Sequence, residues 1–345
     1  MKKIHLLTIA GVTAFSLVVG FGISNDLQNN VANAEEFVTV PEMIAEDNSG
    51  NDINVSIDPI TEKAEMYVLQ KSSINTVDPT KEDILHMMLN SIDYYNYASG
   101  TIAYANPNDL SCAIVVDFQS DIPNSKSYSH IVQKNTELSR VNAAINQTAL
   151  NDLTDANMSE YVLTDREIYY NADSGVSLNN VERSYKDMSY AAISRSNVST
   201  ISDDKRFKVD ENGVPCYYYR ANPTNVDDAS ICLFPQEMAF GFLLDFDLWE
   251  VESSEVYEGR DCVVLSGTTN EDYGKKVGVE KFVFYVDKQT GTLLKYIGYN
   301  TDGEISDYMI SSNISFADSG FSINEKFNAM ASKISIYSDD NNAVE

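Results

Sequence analysis

The chain has 345 residues with 52 acids against 24 bases, a formal net charge of −28 and a pI near 4.3. So few bases exclude a nucleic-acid binder, which needs Lys and Arg for phosphate contacts, and exclude attraction to an anionic membrane surface. Apolar residues make up 43%, enough for a folded core and too many for a disordered chain.

Lys2 and Lys3 precede an apolar stretch, Ile4 to Ile23, and a polar region ends in Ala32-Asn33-Ala34. Basic start, apolar middle and small-x-small end predict a secretory signal peptide over 1–34, cut after Ala34. The alternative is an uncleaved anchor, since the run is just long enough to span a bilayer. No later stretch is long and apolar enough for a second span, so the mature chain is expected outside the cytoplasm with no transmembrane segment. Residues 35–77 are acidic and irregular, with one short extended piece at Met66-Leu69, and read as a flexible lead-in.

A domain is expected over 78–328. Thr80 suits a helix N-cap, with Glu82 and Asp83 in the first turn. Ile84, Leu85, Met88, Leu89, Ile92 and Tyr95 follow at helical spacing, which predicts one helix over Lys81–Tyr95. After Gly100 the period changes to two: Thr101–Ala105 and Ser111–Phe118 flank a turn at 106–109, and Tyr128–Gln133 predicts a third strand. Tyr161–Leu163 and Glu167–Tyr170 read as two short strands around Thr164-Asp165. The Asn/Ser-rich stretch 171–215 predicts little. Pro215–Arg220 reads as a strand, and Pro235 to Phe246 as a short, very apolar helix with Met238, Phe242 and Phe246 on one face.

The last third alternates most clearly. Glu250–Tyr257 and Asp261–Ser266 flank Glu258-Gly259-Arg260, and Val279–Asp287, Thr292–Tyr299 and Ile305–Phe316 follow through two Gly-containing turns. This predicts an antiparallel meander. Residues 329–345 read as a polar, acidic tail.

Four cysteines, at 112, 216, 232 and 262, allow three pairings in an exported protein. Cys216 and Cys232 flank a turn-rich stretch and are the favoured pair; the alternative is buried thiols acting as small hydrophobes. Their spacing fits no zinc pattern, and Asp203-Asp204 lacks a calcium loop. His86 and His130, the two histidines outside the signal segment, belong to no catalytic or metal motif, and no nucleotide loop or nucleophile elbow is present. No residue is assigned as catalytic, cofactor-binding or metal-binding. What stands out is apolar: 21 Tyr, 14 Phe and two greasy helices.

The run Tyr257-Glu258-Gly259-Arg260-Asp261-Cys262-Val263-Val264-Leu265-Ser266-Gly267 and the run Phe282-Val283-Phe284-Tyr285-Val286-Asp287-Lys288-Gln289-Thr290-Gly291-Thr292-Leu293-Leu294-Lys295 resemble the periplasmic lipoprotein-carrier superfamily. That group holds the outer-membrane lipoprotein carriers and the sensors that regulate envelope-stress sigma factors. The helix-then-strand opening at 81–105 is similar too, and 235–243 with Trp249 looks like exported Gram-positive relatives. The resemblance implies an α+β fold, a curved antiparallel half-barrel with helices covering its concave face, and an apolar cavity between them. Cavity-lining candidates on the predicted helices are Leu85, Met88, Leu89, Ile92, Met238, Phe242 and Phe246. Two functions are expected of such a fold: holding an acyl chain, lipid or lipoprotein moiety without altering it, or docking a membrane anti-sigma factor or other envelope protein.

Overall fold

The computed structural model describes residues 77–106, 109–135, 162–189, 202–211, 213–317 and 323–342. The signal segment, the cleavage site and the extended piece at 66–69 lie outside the described residues.

Helix α1 (Lys81–Leu89) starts on a reciprocal cap: the Thr80 hydroxyl accepts from the Asp83 amide at 3.1 Å, and the Asp83 carboxylate accepts from the Thr80 amide at 3.0 Å. It ends earlier than the apolar spacing predicts. Asn90 closes the last turn, and a 3-10 turn, Ser91–Asp93, carries the chain on. The cause is polar. The Asn90 side chain accepts from Arg206 at 3.2 Å and from Arg220 at 3.0 Å, and Arg220 also holds Asp93. Those long-range bonds hold Asn90 and Asp93 inward, where a continued helix would turn them elsewhere.

The strands are β1 (Tyr97–Asn106), β2 (Asp109–Asp121), β3 (Lys126–Asn135), β4 (Val162–Asn171), β5 (Ser174–Asn179), β6 (Ser184–Ser189), β7 (Phe207–Val209), β8 (Pro215–Tyr217), β9 (Trp249–Tyr257), β10 (Arg260–Thr268), β11 (Lys281–Asp287), β12 (Leu293–Tyr299) and β13 (Ile305–Ala317). Eleven form one antiparallel sheet in the order β6-β5-β4-β3-β2-β1-β13-β12-β11-β10-β9. The sheet does not close: β6 and β9 are its edges. It is the open half-barrel of an α+β fold, as expected. β7 and β8 form a separate small ribbon.

β4 is one strand where the sequence suggests two. Asp165 stays in the ladder opposite Val132 because its carboxylate is held by His130 at 2.9 Å and by Asn180 at 2.7 Å. β5 and β6 arise from the Asn/Ser-rich stretch that predicts little: β5 pairs to β4 and β6 to β5, with only the short Val176-x-Leu178 alternation in the sequence.

Four further helices matter: α2 (Asp203–Arg206), α3 (Ser230–Leu233), α4 (Gln236–Phe242) and α5 (Glu271–Val277). α1, α3 and α4 lie on one sheet face and build the main core with Ile102, Val116, Phe118, Phe282, Phe284 and Met309. The last helix, α6 (Ile323–Asn342), includes most of the expected tail. Ile323, Phe327, Met330, Ile334 and Tyr337 recur every three to four residues and pack on Tyr128, Tyr169 and Leu178. Tyr128 and Ile131 point to opposite faces of β3, so α6 covers the face away from α1.

The Val-Asp-Lys-x-Thr-Gly turn docks α1 onto the sheet. Asp287 is buried and accepts from the Gln289 amide, the Thr290 amide and the Thr290 hydroxyl at 2.8–2.9 Å, with Arg260 bidentate at 2.6 and 3.0 Å. Gly291 then turns at φ +69°, and a Cβ there would sit 2.3 Å from the Met87 carbonyl oxygen. The motif residues are therefore what let the helix approach the β11–β12 turn so closely.

Candidate functional site

The interior between the helices and the sheet is where an apolar ligand would sit. Met88, Leu89, Ile92, Met238 and Phe242 all reach it and are at most 4% exposed. Leu85 and Phe246 are half-buried at its margin, Phe246 edge-on to Trp249 at 5.8 Å. The fold brings all seven candidates together in one cluster. They pack against one another and against the sheet. α4 lies directly on the sheet, so Phe242 meets Phe282, Phe284, Tyr273 and Tyr296 at 5.0–5.6 Å.

Polar groups stitch this helical cover in place. Arg206, fully buried, donates to the Leu89 carbonyl at 2.8 Å, to the Tyr218 carbonyl at 3.0 Å, and to the Gln236 side chain. Gln236 in turn bridges the Arg220 backbone, accepting from its amide at 2.8 Å and donating to its carbonyl at 2.9 Å. Arg220 is bidentate to Asp93 at 2.5 and 2.9 Å. Burial pushes the Arg206 guanidinium down to about 10, and the Asp203 carboxylate beside it opposes that shift. The Leu233 carbonyl accepts from Ser91 and Tyr95, and the Leu243 carbonyl from the Trp249 indole at 3.1 Å. The C-terminal ends of α3 and of α4 are thus each tied to other elements.

Among the described residues a void of about 70 Å³ lies at the seam where α3 and α4 meet β1 and β13. Of the seven candidates only Met238 lines it, with Tyr104, Ile231, Phe234, Glu237 and Asp307 among its other walls. Burial pushes the Glu237 and Asp307 carboxyls each up to about 7. Near Tyr104, Asp228 is pushed up to about 8, first by burial and then by the neighbouring Asp227. The sequence reading missed these acids. Their signal was Glu237 alone in an apolar helix and Asp307 inside an otherwise uncharged stretch, 305–317.

The favoured disulfide is not formed: Cys216, half-buried, and Cys232, buried, are both free thiols, as is Cys262. Cys232 lies in the main core on α3, while Cys216 sits on the small β7–β8 ribbon with its Sγ toward the Val214 carbonyl at 3.7 Å. Cys112 has no described side chain. Among the described residues no three His, Cys, Asp or Glu side chains stand together to hold a metal, and no helix is long and apolar enough to cross a membrane.

No family model matches the sequence, and no curated protein matches it. Among solved structures the chain is similar to the MucA/MucB complex of Pseudomonas aeruginosa, with 12% identity over 71% of this chain and a TM-score of 0.35. The match spans 59% of that chain. LprF from Mycobacterium bovis is similar at 9% identity, over 69% of this chain and 94% of that one, with a TM-score of 0.35. The LolA superfamily protein NE2245 from Nitrosomonas europaea is similar at 11% identity, over 70% and 96%, with a TM-score of 0.21. NE2245 is itself a LolA superfamily protein, of the group that the hairpins resemble. At such TM-scores the likeness assigns this chain no ligand and no partner.

Proposed function

We propose that this is an extracytoplasmic, non-catalytic binding protein that docks a protein partner of the cell envelope, the kind of partner implied by the hairpin resemblance being a membrane anti-sigma factor. The observation that carries this choice over an acyl cargo is the close packing beneath α4. Admitting a chain beneath α4 would withdraw Met238, Phe240, Phe242 and Leu243, each at most 4% exposed, from the core. At about 1.5–3 kcal/mol each, that costs roughly 6–12 kcal/mol. Burying about fourteen methylenes returns roughly 11 kcal/mol, and association itself costs at least about 4 kcal/mol. The sum runs from about 1 kcal/mol in favour of entry to about 5 against it, and disturbing the buried Arg206–Gln236–Arg220 bonds weighs further against it.

Holding an acyl chain is the second function, favoured by the void beside Ile231, Phe234 and Met238. Its 70 Å³ is under half of the ~150 Å³ cavity that accepts benzene. It would seat only the tip of a chain. Native mass spectrometry of the exported protein, with a fluorescent fatty acid as competitor, separates the two. The expected result is the mass of the chain alone and no uptake of the probe, while cross-linking in the intact envelope yields one stoichiometric protein partner. A stoichiometric acyl mass would overturn the docking function.

A further inference from the structure

The two edges of the sheet, β6 and β9, both lack an outer strand among the described residues, and they differ in what packs nearby. At one, α6 packs against β6, and Tyr337 donates to Asn180 at 3.1 Å. At the other, no strand among the described residues pairs with the outer side of β9. Its nine residues are mostly exposed, with Val251 at 40% and Val256 at 70%.

The register shows which backbone groups face outward. Glu258 and Gly259 have φ of 49° and 75°, a two-residue primed turn, so Tyr257 and Arg260 form the closing hydrogen-bonded pair. Bonds then alternate along the ladder. Glu255 is bonded to Cys262, whereas Val256 and Ser254, opposite Asp261 and Val263, aim their N–H and C=O groups away from β10. These groups offer a template for one more strand.

The chemistry around that template is acidic. Glu250, Glu252, Glu255, Glu258 and Asp261 are all exposed on this hairpin. Its one base, Arg260, is committed to Asp287, and Glu250 is paired with Lys81 of α1 at 3.0 Å, so Glu252 and Glu255 carry the attraction along the strand. Beside Val256 lies a hollow of about 400 Å³ whose walls include Glu255, Asp261 and Lys288. Lys288 is itself engaged, donating to the Val77 carbonyl and the Ser254 hydroxyl.

Charges on an edge strand commonly serve only to prevent pairing between copies, and a register shift that leaves Glu252 without an opposite residue serves the same end. Three glutamates on one strand do repel a second copy of that strand. They attract a strand of opposite charge. We infer that β9 takes up, by strand addition, an extended segment of a protein partner carrying Lys or Arg at alternate positions. This rests on the docking function proposed above and names its site and its chemistry. Outward amides of Ser254 and Val256 supply the main-chain bonds, and the hollow beside Val256 receives one side chain of the partner.

The test uses the full chain and peptides of about ten residues, a usual strand length. One alternates Lys with Val, one alternates Glu with Val, and one is the Lys peptide with alternate backbone nitrogens methylated. Anisotropy at about 50 and 200 mM salt reads affinity, and hydrogen exchange reads the β9 amides. The Lys peptide is expected to bind at least about tenfold tighter than the Glu peptide, to slow exchange at Ser254 and Val256, and to lose binding on methylation. Val256→Pro removes an outward N–H without touching the β9–β10 ladder, so binding falls about tenfold while the melting temperature holds. The pair Glu252→Lys and Glu255→Lys inverts the peptide preference. Binding that survives both methylation and Val256→Pro, protection on another face, no binding of either peptide, or self-association through β9 would each overturn the inference. Cross-links to a native partner on another face would remove β9 as the site and leave the docking function standing, whereas an acyl mass on the chain removes the docking function itself.

Discussion

Replacing Phe242 with alanine removes the ring that seats α4 on the sheet. Phe242 is 3% exposed and meets four aromatic rings, those of Tyr273, Phe282, Phe284 and Tyr296, at 5.0–5.6 Å. A buried Phe→Ala change costs about 3–5 kcal/mol, and edge-to-face pairs add to the area term, so the upper part of that range applies, about 4–5 kcal/mol. For a domain of this size that lowers the melting temperature by roughly 8–20 °C. Trp249, the only tryptophan, is buried and bonded to the Leu243 carbonyl next to the mutated site, so its fluorescence in a urea titration reports the loss directly. The variant should also gain a dry, ring-sized cavity that takes benzene and recovers part of the stability. A loss below about 1 kcal/mol, with no benzene effect, would refute the close packing: it would mean that α4 is not seated and the space beneath it is open.

Stability should fall as pH rises from 5 to 8. Burial raises Asp307 and Glu237 to about 7 and Asp228 to about 8, above the value near 4 of an unfolded carboxyl. The folded state therefore holds protons that the unfolded chain releases. That contribution is complete below about pH 4 and is lost as pH passes through 7 to 8. Asp307→Asn should flatten the melting-temperature profile over that window, and an unchanged slope would count against the buried carboxyl. In native thiol labelling followed by peptide mapping, Cys216 should react first. Cys262, pushed up to about 12 by burial, and Cys232, pushed up further, should react only on unfolding. A mapped Cys216–Cys232 disulfide would contradict the free thiols.

The meander was legible because its signals are local. Alternation along 282–286, Gly259 and the Asp287–Gly291 turn each act within a few residues, and β9 to β13 form where those signals stand. Elements governed by distant partners were not. β5 carries only the short Val176-x-Leu178 alternation and β6 none, and they form by pairing in turn to β4 and to β5. α1 stops at Leu89 because Arg206 and Arg220, more than a hundred residues away, hold Asn90 and Asp93. The α6 stripe was present at 323, 327, 330, 334 and 337, yet it is diluted by Ser, Asn and Asp over the same stretch.

The candidate site divides the same way. The residues that meet under the helices were readable as a set, since apolar side chains at helical spacing must turn to a common face. Whether that face surrounds a hollow or plugs it was not readable. Met88, Met238 and Phe242 would show the same spacing in either case, and the outcome depends on how closely α4 approaches β11 and β12. The approach of α4 is set by the Arg206–Gln236–Arg220 bonds and that of α1 by Gly291 under Met87, contacts between residues far apart in the chain. Periodicity reports direction, whereas volume is a property of the packed whole.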